Sequence, residues 1–448
     1  MHVAIELTKY LMIILIGTYT YHGYRVVVKK NKAYQEKSYR WMTFCLFMLH
    51  FAGYFSIYIQ VPSDKLLLLY GGQVVLFILV ITLYMNIYPN ISRVLLLNML
   101  MLLAIGFIIL TRLSIDKLVR QVLISGFSCT IGLFVPAIME RFKKLRNFGW
   151  IFGVLGIGIL VLVLLVGDER YGATSWLTVL GIRFQPLEFV KISFVFCIAA
   201  LFDEGTDFKR ICAVTVMAAA TVLAIVFQRD LGGALIFFVT YVFILYVATA
   251  KSLYLMSGLA AGSLAAWMAY RMFDHVKVRV MAWKNPFGYI DNEGYQISQS
   301  LFAIGTGGWL GVGLLQGLPT SIPVVDSDFV FSAIAEELGG FFAICIILIY
   351  INCFMIIINI SLKHWDNFYC LLSFGFAVMF SFQVFLSIGG VIKFIPSTGV
   401  TLPFISSGGS SIITSIIMFM IIQGIFHTGK SEKVNKQHIH KVGEPNEE

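Results

Sequence analysis

"PVVDSDFVFSAIAEELGG", residues 323–340, sets Asp326 and Asp328 just ahead of an apolar run, with Glu336 and Glu337 about two turns into it. If that run enters a membrane, four carboxylates stand at the mouth and in the wall of a bilayer-spanning element. Ionisable groups there are expensive and usually functional. The rest of the chain decides whether there is a membrane to enter. Of its 448 residues, 58% are hydrophobic and 13% charged, against roughly 25% charged in soluble domains. Apolar runs of about 20 residues recur from end to end, long enough to cross a hydrocarbon core of about 30 Å. The sequence therefore reads as one all-α polytopic membrane protein.

Thirteen spans are expected, at about 4–22, 41–61, 67–88, 93–111, 118–138, 148–166, 184–202, 210–227, 231–250, 252–271, 329–351, 368–388 and 409–426. Basic residues fill the loop after the first span (Arg25 to Arg40) and the one after the fifth (Arg141, Lys143, Lys144, Arg146). They recur at Lys209 and Arg210 and in the tail at Lys430, Lys433, Lys436 and Lys441. Threading thirteen spans puts all of them on one side, which the positive-inside rule makes cytoplasmic. The N-terminus is then outside, the C-terminus is cytoplasmic, and segments 167–183, 272–328 and 389–408 face outward. Topology thus accounts for the net charge of +9 without nucleic acid. The seven cysteines form no CxxC and read as small buried hydrophobes, with neither disulfides nor a zinc site expected. The first apolar run lacks a basic start and a small-residue cleavage site, so it is kept as a span. The polar tail after His427 is expected to be disordered.

The outward segments hold most of the polar constellations. In "FQPLEFVKISF", residues 184–194, Glu188 and Lys191 share one helix face and can pair, either as a functional couple or as a structural ion pair. Pro186 suits a first helical turn, just after Gln185. Asp230, in "FQRDLGGALIFF", is placed to cap a helix, and its outward position allows a second role. Trp176, in "YGATSWLTVLG", reads as an interfacial anchor or as a site residue. "LPFISSGGSS", residues 402–411, offers Ser406, Gly408 and Gly409 in a run of backbone N–H groups. It forms either an anion-binding nest or a tight re-entrant turn. Gln296, Gln299 and Ser300 recur at helical spacing, as in an interfacial amphipathic helix. No P-loop or GxSxG is present.

Together these stretches resemble the SEDS family of bacterial wall synthesis, the FtsW/RodA/SpoVE proteins. The family's QPSE…K is similar to Gln185, Pro186, Glu188 and Lys191, with Leu187 for serine. Its QPDLG is similar to Gln228, Asp230, Leu231 and Gly232, with Arg229 for proline. Its GYQ…QSL…IGSGG resembles Gly294 to Gln296, Gln299 to Leu301 and Ile304 to Gly308. Its HTDFIFAVIAEELG resembles Asp326 to Gly339, with Asp326 and Ser327 for His-Thr. Pro396, Thr398, Gly399, Leu402 to Phe404, Ser406 and Gly408 to Ser411 match the last motif.

The resemblance implies a SEDS-type ten-helix core over residues 91–427, preceded by an extension of about three transmembrane helices at 1–90 and followed by a cytoplasmic tail at 428–448. It implies a glycosyltransferase of the plasma membrane that polymerises lipid II, the undecaprenyl-pyrophosphate disaccharide pentapeptide, beside a class B penicillin-binding protein. The family's essential aspartate carries over to Asp328, expected as general base, and its external-loop tryptophan to Trp176, with Ser175 for the usual arginine. Lys191, Arg279 and the 406–411 nest are the candidates, in that order, to stabilise the pyrophosphate. A divalent cation, Mg2+ or Mn2+, could bridge it to Asp328. Glu336, about 12 Å further along a helix from Asp328, is expected to line the cavity floor. The alternatives are a lipid II flippase and a non-catalytic scaffold for the penicillin-binding protein.

Overall fold

The computed structural model describes residues 2–29, 31–141, 143–170, 173–179 and 181–442. The chain opens with α1 (His2–Val28), α2 (Lys32–Gln60) and α3 (Asp64–Ile87). They lead into α4 (Arg93–Leu113), which is apolar on every side and buried along its length, as a helix without a polar face must be. The expected span at 118–138 is divided at Leu133 into α5 (Ile115–Gly132) and α6 (Phe134–Arg141). Pro136 has no N–H to bond back to the preceding turn, so the helix breaks just before it.

After α7 (Gly149–Val166) comes a small antiparallel sheet that the periodicity did not suggest: β1 (Asp168–Arg170), β2 (Ala173–Val179) and β3 (Ile182–Phe184), in that order. Tyr171, Gly172 and Leu180 of this segment lie outside the described residues. Then follow α8 (Pro186–Asp203), α9 (Phe208–Phe227), α10 (Leu231–Thr249) and α11 (Ser252–Met272). The long connection carries α12 (Asp274–Lys284), α13 (Tyr295–Gly307) and α14 (Val330–Leu338). The chain ends with α15 (Gly340–Lys363), α16 (Asn367–Val391) and α17 (Gly409–Val442).

Among the described residues, twelve helical stretches are long and apolar enough to cross a membrane. The expected span at 184–202 is not one of them. It forms α8, whose Glu188, Lys191 and Asp203 raise its charge, and which packs against α7, α10 and α16. The span expected at 329–351 is a correction. The helix breaks at Gly339, which has φ 92°, so α14 is a separate short helix and the span is α15, Gly340–Lys363. The cause lies far off in sequence: a Cβ on Gly339 would stand 2.4 Å from the Gly311 nitrogen. Residues 308–313 press against that point, and the Val312 and Gly313 N–H groups donate to the carbonyls of Glu336 and Glu337.

The tail also differs from expectation, because α17 continues past His427 to Val442. Residues 430–442 contain no Gly or Pro, so a helix already nucleated by the span extends through them at little cost. Residues 443–448 lie outside the described residues.

The first three helices are joined to the rest by polar contacts inside the bundle. Tyr19 of α1 donates to Asn98 of α4 at 3.0 Å, and Asn98 donates to Asn352 of α15 at 2.8 Å. Burial makes each such bond count, since an unmet polar group there is penalised.

Candidate active site

Asp328 lies in the turn just before α14, not on the helix itself. Its Oδ1 accepts from the Ser327 hydroxyl at 2.8 Å. Its Oδ2 faces Gly399, where a Cβ would be 3.4 Å away. The turn is held by the segment leading into α17. Ser407 N–H donates to the Asp326 carbonyl at 2.7 Å, the Ser406 hydroxyl donates to the Ser327 carbonyl, and Lys117 pairs with Asp326 at 2.7 Å.

Burial pushes the Asp328 carboxyl above the usual carboxylate range. The Ser327 hydroxyl and the Arg279 guanidinium pull the other way, while Asp326 and Asp230 push it further up. Asp230 caps α10 as expected, accepting from Gly233 N–H at 2.8 Å. Its carboxyl is raised for the same first reason, burial, against Gly233, Lys191 and Arg279. Two half-buried carboxylates therefore share the field of one arginine. Arg279, on α12, donates to the Thr398 carbonyl at 3.3 Å, and the Thr398 hydroxyl is buried with no partner among the described residues.

Glu188 and Lys191 form the expected pair at 2.7 Å on α8. Lys191 also donates to Gln383 at 2.9 Å, Glu188 accepts from Thr414 at 3.1 Å, and Gln383 donates to the Thr401 carbonyl at 3.0 Å. This network ties α8, α16 and α17 together and occupies the ammonium. Gln185 stands at the N-cap position of α8 without a side-chain cap bond, Pro186 opens the first turn, and the Gln185 N–H donates to the Ser410 hydroxyl at 2.9 Å.

In the 406–411 run, the N–H groups of Ser406 and Ser407 are taken by Leu402 and Asp326 carbonyls, which leaves those from Gly408 and Gly409 onward at the start of α17. Ser406 is thus part of the turn's support rather than a free donor.

Glu336 departs from expectation. Its Oε1 accepts from Leu318 N–H at 2.9 Å and its carboxyl lies against Gly317, so it fixes the 308–318 loop. Beside it Glu337 pairs with Arg112 of α4 at 2.9 Å, and Arg112 also reaches the Gly317 carbonyl at 3.1 Å. Ser300 of α13 is buried, sharing a hydrogen bond with Ser332 and donating to the Val391 carbonyl. Gln296 donates to the Pro323 carbonyl at 2.8 Å, and Gln299 is half-buried on the same helix. Trp176 is half-buried on β2, opposite Asp168 of β1. Among the described residues, no three His, Cys, Asp or Glu side chains gather as a metal-binding group.

The profile of the FtsW/RodA/SpoVE cell cycle proteins matches residues 91–431. The chain belongs to that family. The peptidoglycan glycosyltransferase RodA of Mycobacterium tuberculosis is 32% identical over 312 residues, covering 65% of this chain and 66% of that protein. This chain thus spans just under two thirds of the length of that mycobacterial relative. The probable peptidoglycan glycosyltransferase FtsW of Shewanella sediminis is 30% identical over 384 residues, covering 80% of this chain and 92% of that protein. Among solved structures, one chain comes from a peptidoglycan synthase complex that coordinates polymerization and crosslinking. It superposes with a TM-score of 0.64 at 24% identity, covering 75% of this chain and 97% of that one. RodA of Thermus thermophilus gives 0.55 at 23%, covering 76% and 97%. The fold is that of the FtsW/RodA/SpoVE family, with the match beginning just before α4.

Several partners at this site were not singled out from the sequence. Gln383 and Thr414 stand in ordinary apolar helices, about 190 and 225 residues from the pair they complete. His275, one turn before Arg279, has a buried Nε2 without a partner among the described residues. Its imidazole is held below the usual histidine range by burial and then by Arg279 and Arg229. Its position on the same helix face as Arg279 is the one signal that could have found it.

Proposed function

We propose that this chain is a peptidoglycan glycosyltransferase that polymerises lipid II at the outer face of the bacterial plasma membrane, with Asp328 as general base. Residues 91–427 form the transferase core and residues 1–90 are an added three-helix extension; with α8 counted as a thirteenth crossing beside the twelve apolar stretches, the N-terminus is outside and the tail is cytoplasmic. The names of the relatives, the distribution of basic loops and the family membership support this reading. A class B penicillin-binding protein is the proposed partner, in line with the peptidoglycan synthase complex of which one chain shares this fold.

The observation that carries the mechanism is the asymmetry of the Asp328 carboxylate. Oδ1 is engaged by Ser327, while Oδ2 faces a glycine that leaves room for a substrate oxygen. Oδ2 takes the proton of the acceptor sugar's 4-hydroxyl as that oxygen bonds to the donor's anomeric carbon. The bond from that carbon to the pyrophosphate breaks, and the lipid pyrophosphate leaves with the electron pair. A raised carboxyl is a better base than an ordinary aspartate, provided it is ionised at the working pH.

The leaving group gains negative charge and needs a cation or donors. Arg279 takes precedence over Lys191, because the ammonium is already committed to Glu188 and Gln383. The free N–H groups at the start of α17, at Gly408 and Gly409, are a second source. Glu188 and Lys191 hold α8, α16 and α17 together beside the site. Gln185, Trp176, Gln296 and Gln299 are proposed to line the path of the sugar and peptide.

The test uses purified full-length protein with fluorescent lipid II in detergent, with and without the transpeptidase. Glycan ladders that disappear in Asp328→Ala support the enzyme, with an expected loss on the order of 10²–10⁴-fold. Ladders that persist in the variant overturn it. Scrambling of lipid II across vesicles without polymer points to a flippase, and partner binding without either activity to a scaffold.

A further inference from the structure

The extension builds a cavity that the core alone does not have. It lies where the start of α2 and the end of α3 meet the start of α4, at the end of the bundle where basic residues from Arg25 to Arg40 close α1 and open α2. Its volume is about 350 Å3. The floor is apolar and comes from both parts of the chain: Ile81 and Met85 from α3, Leu96 and Leu97 from α4.

The mouth is polar. Arg93 is clamped by both oxygens of Glu36, at 2.8 and 2.9 Å, and lies over the Tyr39 ring. That leaves Arg40, which lines the same cavity and makes no ion pair or hydrogen bond among the described residues. Two guanidinium groups against one carboxylate leave the mouth net positive. Glu36 lies four residues before Arg40 on α2 and could have neutralised it, but the structure gives Glu36 to Arg93 instead.

We propose that this cavity binds an anionic phospholipid, with Arg40 on the phosphodiester and the start of an acyl chain on the apolar floor. A guanidinium fork matches phosphate oxygens better than an ammonium does. Basic pockets between transmembrane helices at the inner surface recognise anionic headgroups. The cavity's two-part construction fits an amphiphile: a soluble anion would use the mouth and leave the floor uncovered, whereas a zwitterionic lipid would cover the floor and gain less from the mouth. The lipid would join α2 and α3 to α4, so it would fasten the extension to the core.

The experiment uses the full-length protein in dodecyl maltoside, with lipid retention read by native mass spectrometry and unfolding temperature by intrinsic fluorescence. The probes are phosphatidylglycerol, phosphatidylcholine with the same chains, and glycerol 1-phosphate. The expected result is that phosphatidylglycerol is retained and raises the unfolding temperature, phosphatidylcholine does so less, and glycerol 1-phosphate has no effect.

Arg40→Gln should weaken phosphatidylglycerol retention about fivefold, the worth of one cation at such a surface, while polymerase activity in detergent stays unchanged. Arg40→Lys should recover part of the loss. Equal retention of the two lipids, or an Arg40→Gln protein that holds phosphatidylglycerol like wild type, overturns the proposal. So does an equal shift with glycerol 1-phosphate, which would make the ligand a free phosphate. If Arg40→Gln fails to fold, the comparison of lipids on wild-type protein still decides. Neither lipid retention nor unfolding temperature depends on the reaction proposed for Asp328.

Discussion

Asp328 is half-buried and its carboxyl is held above the usual carboxylate range, yet the proposed chemistry needs it ionised. Its raised carboxyl should therefore set the acid limb of the pH–rate profile, with activity lost as pH falls through a value above that of an ordinary aspartate, about 3.9. The neighbours fix the direction of two shifts. Asp230→Asn keeps a side-chain cap on α10 but removes a negative charge, so the limb should move to lower pH. Arg279→Gln removes the opposing cation, so it should move to higher pH, with turnover also reduced. A profile that moves in neither variant would separate Asp328 from the limb. The sign for stability is the reverse of that for activity. A carboxyl raised on folding favours the native state at low pH, and that contribution is lost as pH rises through the folded value. Asp328→Asn should thus melt at or above the wild-type temperature at neutral pH, an advantage that vanishes in acid.

At the scale of elements, the break between α14 and α15 sets a short separate helix, rather than the membrane span itself, directly after the Asp328 turn. Gly339→Ala would put a Cβ into the Gly311 backbone at a positive φ, a strain of about 1–3 kcal/mol before the clash is counted. A fall in unfolding temperature together with activity is expected, whereas Gly305→Ala, with nothing within 4 Å of its Cβ, should be neutral or slightly stabilising in α13.

The Arg112–Glu337 pair anchors the same region. Arg112→Ala leaves a buried carboxylate alone and should cost on the order of 3–5 kcal/mol, and adding Glu337→Gln should restore part of it. Thermal unfolding of the single and double variants reads both. The break was not legible in the sequence because "EELGG" sits inside an apolar run that local rules continue as helix. What stops the helix is the 308–313 loop, whose approach no periodicity reports. The Glu188–Lys191 pair was legible because three residues on a helix fix its geometry. That Lys191 is already committed was not, since Gln383 is about 190 residues away. The Asp230 cap was readable locally; its shared field with Asp328 needed the fold.

Across the whole molecule, the composition and the recurring runs were enough for a polytopic helical fold, because the bilayer sets the span length directly. They could not show how the first three helices attach. The structure fastens them through Tyr19, Asn98 and Asn352. Tyr19→Phe strands one of these groups and should lower stability by about 1–3 kcal/mol, seen as a lower unfolding temperature, while the pH–rate profile keeps its shape. The knot between the Asp328 turn and the residues before α17 reaches furthest. Ser406 and Ser407 grip a turn some 80 residues earlier in the chain, and the last helix grows directly from that grip. The carboxylate therefore cannot drift independently of the C-terminal helix, and heat should extinguish turnover together with the loss of the bundle rather than ahead of it.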